Sequence, residues 1–167
     1  TFNGTTNLGA TTRTITLGST GIYALNGAIS GSGGLTVAAT STGTLALGGT
    51  NTYTGKTTVN GGTLAITNVA ALGANPGSFT ADQVTLNGGT LAINAATTLS
   101  GNRGITLGSS GGTVATGVNN VTISSAIAGP GQLTKTGAGV LTLSGSNTYA
   151  GGTALDGGSI TVSSSSG

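Results

Sequence analysis

Apolar residues recur along this chain in short alternating runs. They are Ile15-Thr16-Leu17, Leu35-Thr36-Val37, Leu45-Ala46-Leu47, Leu64-Ala65-Ile66, Val84-Thr85-Leu86, Leu91-Ala92-Ile93, Ile105-Thr106-Leu107, Val121-Thr122-Ile123, Leu141-Thr142-Leu143 and Ile160-Thr161-Val162. Each has a period of two and is bounded by Gly, Ser or Asn, the pattern of a short strand with one buried face. No window carries a 3.6-residue period, and glycine interrupts every candidate helix. The pattern predicts an all-β chain.

The runs belong to longer repeats. Lys56 to Ile66 returns as Gln83 to Ile93, and a looser copy spans Gly152 to Val162. A larger unit, Gly43 to Gly55, matches Gly139 to Gly151. Arg13 to Gly21 matches Arg103 to Gly111, and Ala28 to Leu35 matches Ala126 to Leu133. The chain therefore divides into two long degenerate repeats, about 12–66 and 102–162, within one segment expected to cover 1–167.

Four-residue strands joined through Gly-Gly cannot bury themselves alone. Stacking each copy on the last closes a core and gives every strand two partners. This predicts a parallel β-helix, a β-solenoid of roughly six to eight coils with rungs about 4.8 Å apart. An antiparallel sandwich is the competing β architecture, but in-line copies favour the solenoid. Leu, Ile and Val are expected to stack inward and Thr and Ser to form outward ladders. Corners are expected at Asn60, Gly61 and Gly62, at Asn87, Gly88 and Gly89, and at Asp156, Gly157 and Gly158. Asn and Gly both tolerate the left-handed backbone of a sharp corner, and Asn87 falls one coil beyond Asn60, which permits an amide ladder.

Composition narrows the chemistry. Gly and Thr each number 34 of 167 residues, charged residues are 4% and aromatics 3%. Such a chain could be disordered, but a mean hydropathy of +0.28 and the ordered apolar runs oppose that. His, Cys, Met, Trp and Glu are absent from the sequence. That removes thiol nucleophiles, a histidine base, Cys/His metal sites and disulfides, and no cofactor is expected. The net charge of +2 comes from Arg13, Lys56, Arg103 and Lys135 against Asp82 and Asp156. Four scattered cations do not make a nucleic-acid surface. No apolar run is long enough for a membrane-spanning helix. With neither Met nor a leader pattern at Thr1, the chain reads as a mature or excised piece.

The stretch from Gly129 to Val162, with Asn147-Thr148-Tyr149-Ala150-Gly151 at its centre, resembles the passenger-associated transport repeat of bacterial autotransporters. Gly31 to Ile66 is similar to it, with Asn51-Thr52-Tyr53-Thr54-Gly55 in the same place. The resemblance implies a right-handed parallel β-helix exported to the cell exterior and a part in the passenger's export or folding. It carries no catalytic residues to transfer. The family's outer-membrane barrel, with aromatic girdles on alternating strands, has no counterpart here, so the chain is expected to be a passenger fragment.

Candidate sites are few. Asp82 and Asp156 could form the carboxylate pair of a glycan-cleaving β-helix if about 5–10 Å apart. Against that, Asp156 occupies a corner, and Asp82 is expected in a protruding loop over 75–83. Tyr53, Tyr149 and Tyr23 are candidate surface contacts for sugars or partners; the plainer reading is that each ring covers a neighbouring coil with its hydroxyl wet. The four cations are read as simple solvated charges, a structural role for Arg13 and Arg103 being as open as a binding one. Thr arrays raise an ice-binding alternative, but Thr12 to Thr16 and Thr50 to Thr54 do not recur at constant coil spacing. The expected function is a non-enzymatic extracellular structural or adhesive module at the bacterial surface, with filament formation as one form of it. Its expected partners are copies of itself or surface glycans and proteins. A carbohydrate-binding or polysaccharide-degrading β-helix is the alternative.

Overall fold

The computed structural model describes residues 1–163; positions 164–167 of the expected segment lie outside the described residues. Three parallel walls wind around one core. The seven-stranded wall contributes one strand per coil: Ile22–Leu25, Thr44–Leu47, Thr63–Ile66, Thr90–Ile93, Gly112–Ala115, Leu133–Thr136 and Thr153–Leu155. A six-stranded wall precedes it in each turn, from Arg13–Ile15 and Leu35–Val37 through Thr57–Val59, Thr80–Leu86 and Arg103–Leu107 to Ile127–Ala128. The third wall is interrupted. Thr6–Asn7 pairs with Ile29–Ser30 at one end, while Thr97–Leu99, Val121–Ile123, Val140–Leu143 and Ser159–Val162 form a sheet at the other. Seven coils result, every strand pairing in parallel and those inside each sheet bonding the coils before and after them.

Alternation sends every second residue into the core, so inward side chains stack in columns. Leu45, Leu64, Leu91 and Val114 form one column on the seven-stranded wall. Outward, Thr44, Thr63, Thr90, Thr113 and Thr134 stand in register there, beside Ala24, Ala46, Ala65, Ala92 and Ala115. Thr14, Thr36, Thr58, Thr85 and Thr106 line the six-stranded wall. The Thr ladders are therefore regular, although Thr63 follows Thr44 by 19 residues and Thr90 follows Thr63 by 27. Constant spacing in sequence is unnecessary, because corners absorb the extra residues without shifting strand register.

Three sequence expectations change. A single 3-10 turn, Val69–Leu72, capped by Asn68, occupies the interrupted wall. Asp82 lies in a strand, not a loop: Thr80–Leu86 carries a bulge against Arg103–Leu107 that displaces it outward. The left-handed backbone sits only on glycine among the described residues, so Asn60, Asn87 and Asp156 do not adopt it. The Gly-Gly pairs after Asn60 and Asn87 divide two tasks. Gly62 turns (φ +58°) while Gly61 lets the chain approach the Ala39 carbonyl; Gly88 turns (φ +96°) while Gly89 presses on Val59. Asn60 and Asn87 form no amide bond with each other; the Asn87 amide oxygen accepts from the Ser110 N–H at 3.0 Å.

The two long copies do not sit above one another. Leu35–Val37 and Thr44–Leu47 occupy the six- and seven-stranded walls. Their counterparts, Leu133–Thr136 and Val140–Leu143, occupy the seven-stranded and interrupted walls. The second copy has moved four coils along and one wall around. Arg13 and Arg103, by contrast, share one wall four coils apart.

Candidate functional site

The interrupted wall departs most from ladder geometry, and its gap is built by Asn51, Tyr53 and the 3-10 turn. Asn51 opens a turn where a strand would otherwise run. Its side-chain oxygen accepts from the Ile29 N–H of the coil below at 2.8 Å, and its amide donates to the Ala71 carbonyl of the coil above at 2.7 Å. One buried side chain thus stands in for two ladder hydrogen bonds. Asn147, at the same place in the second copy, accepts from the Ile127 N–H at 2.9 Å. Tyr53 is fully buried, and its hydroxyl pairs with the Thr57 hydroxyl at 2.8 Å. Burial raises its phenol above the ordinary value, with the Thr57 bond and the Arg103 charge pulling the other way. Gly73 (φ +81°) packs over the Tyr53 ring and carbonyl, where a Cβ would collide.

Arg103 closes the gap from the strand Arg103–Leu107, the second strand of the six-stranded wall after the 3-10 turn. It is 2% exposed. Its guanidinium donates to the carbonyls of Leu72 (2.7 Å), Gly73 (3.0 Å) and Ala74 (3.2 Å), the end of the 3-10 turn. Desolvation lowers its pKa, with Tyr53 acting in the opposite sense. Beside it lies an open cleft of about 230 Å³, bordered by Val69, Ala70, Ala74, Asn75 and Ser100. That volume accommodates no more than a single ring-sized group.

The candidate surface contacts separate. Tyr53 belongs to the core and presents nothing to a partner, because it is fully buried with Gly73 of the next coil packed on its ring. Its hydroxyl is dry and paired, where a wet one was expected. Tyr149 packs partly against the core and bonds the Thr153 hydroxyl at 2.6 Å. Tyr23 continues an inward column beneath Leu45, is 41% exposed, and bonds Ser19. Of the cations, Lys56 is exposed and pairs with Asp82, and Arg13 donates to the Leu8 carbonyl at 3.0 Å. Arg103 and Lys135 are not solvated charges. Lys135 fills an inward position between Val114 and Leu155, and its ammonium donates to the carbonyls of Thr136, Gly137 and Gly157. Desolvation lowers its pKa.

Asp82 and Asp156 lie three coils apart, on a six-stranded-wall bulge and an exposed corner of the last coil. Three rungs alone separate them by about 14 Å, beyond the reach of a paired-carboxylate mechanism. Sequence reading missed Asn51 and Asn147 as coil bridges. The signal was present, since both open the repeated Asn-Thr-Tyr. No helix among the described residues is long and apolar enough to cross a membrane.

Comparison with known proteins finds a repeat family that matches two parts of the chain, and a relative. The passenger-associated transport repeat matches residues 39–66 and 133–162. Both matches contain the turns of Asn51 and Asn147. Over 118 residues the chain is 38% identical to the adhesin BmaC autotransporter of Brucella suis biovar 1 (strain 1330). The alignment covers 66% of this chain and 3% of that protein, so the chain spans a small part of its relative's length. No solved structure matches it.

Proposed function

We propose that this chain, a β-solenoid carrying two passenger-associated transport repeats, is a non-enzymatic adhesive and scaffolding segment of a bacterial surface protein, displayed outside the cell. The observation that carries this reading is the pair of repeats set into an unbroken stack of coils. The similarity to an autotransporter adhesin supports the adhesive part. The distribution of polar side chains fits: Asn51, Arg103 and Lys135 are engaged in tying coils together. The regular Thr ladders leave flat, nearly uncharged walls facing outward.

Labelled chain added to cultured animal cells is expected to bind saturably and to be displaced by unlabelled chain. Binding that stays linear with concentration overturns the adhesive part. A surface with so little charge offers weak protection against association, so copies are also expected to associate with one another. Sedimentation that finds a monomer at the highest soluble concentration removes self-association from the proposal.

A further inference from the structure

Arg103 is a buried cation with no anion beside it. The ion pair found among the described residues joins Lys56 to Asp82 on the exposed surface, and Asp156 stands at a corner of the last coil. Three carbonyls take up the two Nη atoms, and Nε has no protein acceptor. Among the described residues, Ser125 Oγ is the side-chain polar atom both sealed from solvent and unbonded. Nε therefore is not sealed, and Arg103 lines the cleft. Carbonyl dipoles soften the cost of burying this charge without neutralising it, so an anion entering the cleft meets an uncompensated, pre-oriented guanidinium.

The rest of the cleft narrows the ligand. Val69, Ala70 and Ala74 give it an apolar wall. At its rim, Asn75 donates to the Pro76 carbonyl at 3.4 Å and the Ser100 Oγ accepts from the Asn102 N–H at 3.3 Å, which leaves the Asn75 amide oxygen and the Ser100 hydroxyl proton for a ligand. A pyranose has this mixture in its C–H face and its hydroxyls, and about 230 Å³ is room for one ring. We propose that the cleft binds a single acidic sugar ring through its carboxylate, with Arg103 as the anchor and Asn75 and Ser100 taking hydroxyls. An acidic protein side chain carries the same carboxylate but would leave the apolar wall and the rim groups unused. The proposal deepens the adhesive reading by naming a ligand class. It is tested on the purified chain, so cell attachment and this titration fail independently.

Glucuronate, glucose and a blocked glutamate (N-acetylglutamate amide) titrated into the purified chain, followed by amide NMR, separate the possibilities. Glucuronate is expected to shift the amides of Gly73, Ala74 and Ser100 saturably, with Kd on the order of 1 mM for so small a ligand. Glucose and blocked glutamate are expected to bind at least tenfold more weakly. Arg103→Ala risks loss of the fold, so the discriminating variant is Ala70→Leu, which fills the cleft and leaves the three Arg103 bonds in place. It is expected to weaken glucuronate binding at least tenfold, with the remaining amide spectrum unchanged. Absence of saturable shifts, glucose binding as tight as glucuronate, or wild-type affinity in Ala70→Leu each overturns the site. Equal affinity for blocked glutamate overturns the sugar and points to an acidic protein partner.

Discussion

Tyr53 and Tyr149 hold the same place in the repeated motif and make the same bond, to Thr57 and Thr153. They differ in what lies above them: Tyr53 is sealed by the next coil, and Tyr149 in the last coil is half covered. Burial raises the Tyr53 phenol above 10.0. As pH climbs past 10.0, the unfolded chain loses this proton first while the fold retains it. Stability tied to the neutral phenol is therefore full below 10.0 and lost as pH rises through the folded-state value. Lys135 acts with the opposite sign: its lowered pKa makes stability grow with pH in the window below 10.5. Tyr53→Phe is expected to cost about 1–2 kcal/mol at neutral pH, since Thr57 loses its buried partner. In exchange it should lose less stability than the wild type between about pH 9 and 11. Urea melts of both proteins across that range check the sign.

At the scale of the element, the Asn-Thr-Tyr turn is a strand replaced by side chains. Regular rungs join coils through backbone groups; in the gap, Asn51 joins three coils by itself. Asn51→Ala leaves the buried Ile29 N–H and Ala71 carbonyl each without this partner, and a loss of about 2–4 kcal/mol is expected. Asn147→Ala removes one recorded bond at a half-exposed position and should cost about 1 kcal/mol. Denaturant midpoints of the two variants measure the difference; equal losses would deny the bridging role. The motif was plain in the sequence as a repeat, but its task was not. The partners of Asn51 lie 22 residues before it and 20 after, and nothing local marks them. The same holds for Lys135, whose Leu-Thr-Lys-Thr run alternates like any strand while its ammonium reaches a corner one coil away.

Across the whole molecule, each coil touches only its neighbours, so stability is a sum of interfaces and the ends have one each. Inward positions show this: Leu64 and Leu91 are fully buried, whereas Tyr23, Leu155 and Val162 at the ends are 41%, 52% and 65% exposed. Amide exchange is expected to be slowest in Thr57–Val59, Thr63–Ile66 and Thr90–Ile93, and fastest in Ile22–Leu25 and Ser159–Val162. Uniform protection along the chain would contradict a nearest-neighbour stack. The sequence by itself determined the strand period, the in-line repetition and the all-β solenoid, and bounded its coils to roughly six to eight. These follow from alternation and from segments too short to bury themselves alone. It also carried the passenger repeat in its motif. Only the tertiary structure decided which wall each copy occupies, because coils of 19 to 27 residues place corner insertions where no period reveals them. It alone turned two surface charges and a surface tyrosine into core residues, since burial depends on what the next coil lays over a side chain. Register, set by stacking of apolar columns and not by sequence spacing, aligned the threonines and left Arg103 facing an open cleft.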